Sequence, residues 1–133
     1  MRRVLEWALS HGVEAAQRMA AGLPAGYLEE LGLALGLSSE ERARIFGLSR
    51  ATWSRRRREG VLRPREAELV YRLARIYAMA LLAFGEDDAA AQAWLRRRHP
   101  ELAGWTPLEA ARHEPAAREA EAILARARGG VGV

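Results

Sequence analysis

A chain of 133 residues, half of them apolar and 29% charged, fits one domain or two small subdomains sharing a core, and excludes a disordered protein. It has no cysteine, which removes disulfide scaffolds, thiolate metal sites, cysteine nucleophiles and CxxC redox chemistry together. All 21 basic residues are arginine, and the net charge of +4 is unevenly spread. Met1 to Glu41 has 3 Arg against 6 acids, Arg42 to Arg75 has 11 Arg against 3 Glu, and Ile76 to Val133 has 7 Arg against 8 acids. The positive potential therefore belongs to the central quarter, which points that segment toward a polyanion.

Almost every segment reads as helix, because Ala, Leu, Glu and Arg dominate and no Val/Ile/Thr-rich alternation occurs. The spacing predicts a first helix over Val13 to Ala21, stopped by Gly22, and a second over Ala25 to Leu35, stopped by Gly36. Ser38 and Glu41 form a capping-box pair opening a short helix that ends at Phe46-Gly47. Ser49 caps the next helix, Arg50 to Arg58, and Gly60 ends it. Arg63-Pro64 begins a long helix to Phe84 with the apolar stripe Leu69, Leu73, Ile76, Ala80 and Phe84. A helix over Asp87 to Arg97 follows, with acids at its start and arginines at its end, and His99-Pro100 breaks it. Thr106-Pro107-Leu108-Glu109 opens another short helix, and a final one covers Pro115 to Ala127 before Gly129-Gly130. The expected organisation is all-α, with residues 1–84 as an N-terminal helical region and 85–133 as a smaller C-terminal domain.

Ser39 to Arg58 has the layout of a helix-turn-helix. Ala43 is the small residue where the two helices meet, Gly47 allows the tight turn, and Leu48 and Trp53 anchor the second helix on the core. With Trp53 inward, steps of about 100° per residue put Ala51, Arg55 and Arg58 outward, flanked by Thr52 and Ser54. Arg50, Arg56 and Arg57 fall nearer the core edge, still within reach of phosphates. The candidate DNA-binding residues are Arg50, Thr52, Ser54, Arg55 and Arg58, since arginine grips guanine edges or phosphates. Arg42 and Arg56 depart from the pattern, occupying positions that are usually apolar.

Further along, Arg58-Glu59-Gly60-Val61-Leu62, Arg72-Leu73-Ala74-Arg75-Ile76, Phe84-Gly85, Ala91 and Trp94-Leu95 occur in an order that resembles the Xre/MbcA/ParS-type antitoxins. Pro100-Glu101-Leu102-Ala103-Gly104-Trp105-Thr106-Pro107-Leu108 is similar to that family's Pro-x-Leu-x-Gly-x-Thr-Pro-Leu signature. The resemblance implies an Xre-like helix-turn-helix domain followed by a small helical toxin-binding domain. It implies a RES-domain toxin that consumes or transfers from NAD, whose pocket the antitoxin covers. It also implies double-stranded operator DNA, autoregulation of the operon, and a homodimer through the N-terminal region. Where the family often has Glu-Ser-Asp-Arg-Leu, this chain has Glu66-Ala67-Glu68-Leu69-Val70, and its usual Arg-Ile-Glu-Tyr-Gly tail reads Arg126-Ala127-Arg128-Gly129-Gly130.

Trp94, Leu95, Leu102, Trp105 and Leu108 are expected to form a small core joining short helices. The last helix carries Ala116, Ala120, Ile123, Leu124 and Ala127 along one side. Small side chains allow close approach, and with the resemblance they make Ala120, Ile123, Leu124, Ala127, Arg128 and Gly129 the candidate toxin contacts. No nucleophile–base pair, phosphate loop or metal-ligand spacing stands out, so no enzymatic activity, cofactor or metal is expected. No convincing targeting signal or bilayer-length apolar run is present, and a cytoplasmic protein without membrane contact is expected. A stand-alone helix-turn-helix regulator and an arginine-rich RNA-binding or adaptor protein are the alternatives.

Overall fold

The computed structural model describes residues 1–128, with the backbone alone at Arg128. Among them are nine α-helices and a 3-10 turn, and no strand. The helices are α1 Arg2–Ala8, α2 Gly12–Ala20, α3 Ala25–Ala34, α4 Ser39–Phe46, α5 Arg50–Glu59, α6 Pro64–Ala83, α7 Asp88–Arg96, α8 Pro107–Ala110 and α9 Glu114–Arg128, with the 3-10 turn at Pro100–Leu102. The expected helices fall within a few residues of these, and the expected stop at Gly129-Gly130 lies outside the described residues. The addition is α1, whose seven residues carry too little periodicity to stand out. No helix among the described residues is long and apolar enough to cross a membrane.

The chain divides into two compact units, Met1–Tyr71 and Arg72–Val133. The division falls inside α6, earlier than the 84/85 boundary expected from the sequence. The reason is visible in the side chains of the second half of α6. Arg72 donates from Nε to the Ala111 carbonyl at 2.8 Å and from Nη2 to that of Arg112 at 3.2 Å, while Arg75 Nε reaches Glu121 at 2.7 Å. These bonds tie the helix to α9 and to the end of α8, so from Arg72 onward it belongs with the C-terminal unit.

In the first unit, α1 exists because Val4 and Trp7 bury themselves on α3. The Trp7 ring meets Tyr27 and Tyr71 edge to face, at 5.5 and 5.3 Å, and its indole N–H donates to the Ala15 carbonyl. Leu28, Leu31, Leu35, Ile45, Phe46 and Val70 complete the core. A single β-bridge pairs Pro24 with Val61, where Ala25 N–H donates to Gly60 and Leu62 N–H to Leu23, both at 2.9 Å. That bridge fixes where the chain leaves α5.

In the second unit, Leu73, Ile76, Ala80, Trp94, Leu95 and Leu124 are almost fully buried. Tyr77 on α6 donates to Asp88 at the start of α7. Burial, then the bond to Asp88, push the Tyr77 phenol well above the usual tyrosine range.

Candidate functional site

Local chemistry builds the α4–turn–α5 unit. Ser38 Oγ accepts from Glu41 N–H and Glu41 Oε1 accepts from Ser38 N–H, both at 3.1 Å, so two orphan donors at the start of α4 are satisfied. Gly47 ends the helix at φ +64°, where a Cβ would meet no atom but the backbone itself would be strained. Leu48 N–H then donates back to the Ala43 carbonyl at 3.2 Å, and Ser49 Oγ accepts from Thr52 N–H at 3.1 Å to start α5. Leu48 and Trp53 are buried, pinning α5 as the sequence suggests.

Both departures at usually apolar positions have partners. The Arg42 guanidinium lies 5.6 Å from the centroid of the Trp53 ring, beside a hollow of about 220 Å³ lined by Leu28, Ala43, Leu48 and Trp53. Arg56 is 8% exposed and paired with Glu66 at 2.8 Å and Glu59 at 3.2 Å. Hydrogen bonding to Glu66 outweighs the cost of desolvation and raises its pKa further. Arg56 is therefore turned inward and does not reach toward a phosphate, which corrects the expectation for this residue.

Intramolecular pairing sorts the five arginines of α5. Arg56 is consumed by α6, and Arg57 leans toward Glu29 on α3 at 3.7 Å, a half-exposed pair of little energetic weight. Arg50, Arg55 and Arg58 are exposed and make no ion pair among the described residues. Ser54 is exposed and lines a shallow depression with Arg57 and Arg58. Thr52 is half-buried, and its hydroxyl accepts from Ser49 Oγ at 3.0 Å, so it braces the cap as well as bordering the outer face.

The second unit differs more from expectation. Ala120, Ile123 and Leu124 are 0, 2 and 0% exposed, because α9 lays this side against α8 and the 3-10 turn. These three candidate toxin contacts are core residues and are not presented to a partner. Ala127 is half-exposed, while Gly129 and the side chain of Arg128 lie outside the described residues. The outward face of α9 carries Arg118, Glu119, Ala125 and Arg126. Trp105, expected in the core, is 42% exposed, its ring tilted against His113 at 5.6 Å. The buried histidine is His99, whose Nε2 lies 3.1 Å from the Trp94 carbonyl and whose ring leans on the Trp94 indole. Arg72 and Arg75 escaped the sequence reading as structural clamps, although their i, i+3 spacing on a helix face was the available signal.

A capped helix-turn-helix with an outward arginine face, followed by a separate helical unit, defines a helix-turn-helix protein with an appended binding domain. The family model of the antitoxin Xre-like helix-turn-helix domain matches residues 14–75, and that of the antitoxin Xre/MbcA/ParS C-terminal toxin-binding domain matches residues 79–130. The chain belongs to the Xre/MbcA/ParS-type antitoxins. No curated protein matches it.

Proposed function

We propose that this antitoxin neutralises a RES-domain, NAD-consuming toxin by covering its active site, and represses its own operon from the cytoplasm as a dimer formed through the N-terminal region. The observation that carries the reading is the succession of two matched domains, a DNA-binding type and a toxin-binding type, on one short chain. The RES identity of the toxin rests on the likeness of Pro100 to Leu108 to the family signature. On the DNA side, Arg55 and Arg58 meet base edges or phosphates, and Arg50, Thr52 and Ser54 contact the backbone near the start of α5. Three exposed cations on α5 that make no ion pair among the described residues, Arg55 and Arg58 facing outward and Arg50 nearer the core edge, support this, because they keep their charge for a polyanion. The C-terminal unit meets the toxin through its outer surface, the inner side of α9 being engaged within the unit.

Co-expression with the product of the adjacent reading frame tests the proposal. That protein alone arrests growth and depletes NAD, and this chain restores both. A neighbour that is harmless alone, or whose toxicity persists beside this chain, overturns the reading. Footprinting then shows protected half-sites about one helical turn, or a multiple, apart. Uniform binding without a preferred site points to a nonspecific clamp instead.

A further inference from the structure

Three of the four tryptophans serve the folded core: Trp7, Trp53 and Trp94 are 2, 6 and 1% exposed. Trp105 is 42% exposed. The exposed part of this side chain adds little to folding, since apolar area stabilises only when removed from solvent. The placement is nonetheless built. Ala103 and Gly104 occupy successive left-handed conformations, φ +55° and +83°, and the first is a conformation that L side chains rarely adopt. Trp105 N–H donates to the Leu102 carbonyl at 2.9 Å, and its carbonyl accepts from His99 N–H at 3.2 Å. Immediately afterwards, Thr106 and Glu109 close a capping box at the start of α8. Both flanks of the indole are thus fixed, and the His113 ring supports one side.

The surroundings are polar and of mixed charge, the segment from Arg98 to Glu114 carrying Arg98 and Arg112 beside Glu101, Glu109 and Glu114. Arg98 Nη1 donates to the Gly104 carbonyl at 2.9 Å and stands 3.5 Å from Glu109, and Arg112, next to His113 in the chain, is exposed. An exposed tryptophan with arginines close by in the chain has the composition of a binding hot spot, and its fixed backbone setting means little conformational freedom is lost on docking. Among the described residues of this unit the exposed large apolar side chains are Leu82 and Trp105, both inside the segment matched to a toxin-binding domain, and Trp105 is the larger of the two.

We infer that Trp105 is the anchor through which the C-terminal unit holds its toxin, inserting the indole into an apolar socket of the toxin rimmed by carboxylates that face Arg98 and Arg112. This rests on the antitoxin reading above and supplies a contact to replace the buried side of α9.

The test uses the full chain and the purified product of the adjacent reading frame, with affinity measured by calorimetry or biolayer interferometry. Trp105→Ala weakens the complex by about 30-fold or more, as hot-spot truncations do, while Trp105→Phe retains most of the affinity. Arg112→Glu weakens it by about tenfold, through like-charge repulsion at the rim. Operator binding, read on the first unit, and the melting temperature serve as controls for folding and stay close to the parent values. Affinity of Trp105→Ala and Arg112→Glu within about threefold of the parent chain overturns the anchor while leaving the antitoxin reading intact. A parent chain that does not bind the neighbour overturns both, and the two failures are therefore distinguishable.

Discussion

Nε of Arg56 on α5 donates to both carboxylate oxygens of Glu66 on α6, at 2.8 and 3.0 Å. The same carboxylate accepts from the Arg63 backbone N–H at 2.8 Å, at the threshold of α6. One acidic side chain therefore fastens the C-terminal half of α5 to the start of the next helix. A charged residue fills a usually apolar position, and its charge is spent inside the fold.

Arg56→Ala is expected to lower the melting temperature, because the Glu66 carboxylate, with 11% of its side chain exposed, loses its main partner. The salt slope of DNA binding stays unchanged, since Arg56 meets no phosphate. Combining Arg56→Met with Glu66→Leu recovers most of the melting temperature, an apolar pair replacing an ionic one. Thermal melts and a salt titration of DNA affinity check these outcomes, and an unaltered melt for Arg56→Ala shows that the pair does not hold the helix.

Arg55→Ala and Arg58→Ala are expected to behave in the opposite way. Both side chains are exposed and unpaired among the described residues, so the melt is unaffected. Each removes one phosphate-directed charge, flattening the plot of log affinity against log salt by about one unit. Unchanged slopes in both variants show that this face does not meet DNA.

Truncating the anchor of α5 is costly. Trp53 is 6% exposed, and Trp53→Ala should destabilise the chain by about 3–5 kcal/mol, read by denaturant unfolding. A smaller effect follows from Ser49→Ala, which removes the acceptor for Thr52 N–H and should cost about 1 kcal/mol.

The second unit carries a pH dependence at the alkaline end. Tyr77 has its folded pKa raised by burial and by its bond to Asp88. At pH values above the ordinary tyrosine pKa, roughly 10, the unfolded chain has released this proton while the folded chain retains it. Stability is therefore full below that point and declines as pH rises toward the folded value. Tyr77→Phe removes this decline, and melts taken across the alkaline range decide it. A parallel decline in both proteins assigns the effect elsewhere.

The helices after α1, three of their caps and the helix-turn-helix were legible in the sequence. Ser38 with Glu41, Ser49 with Thr52, and Thr106 with Glu109 act three residues apart, so the bond partners are already adjacent in the chain. Gly47 and Gly60 hold left-handed turns for a reason intrinsic to glycine. Which arginines of α5 are available depends on residues brought alongside by folding. Arg57 and Arg56 are drawn to Glu29 and Glu66, whose positions no periodicity relates to α5. Folding likewise sets which way the C-terminal apolar residues face. The stripe Ala120, Ile123 and Leu124 signals burial without naming the surface that buries it, and α8 with the 3-10 turn supplies that surface. Trp105 reads as a core residue because tryptophan usually is one, and two successive positive φ angles precede it where it stands outward. Caps and turns depend on the nearest few residues, whereas exposure and charge pairing depend on what the folded chain brings alongside.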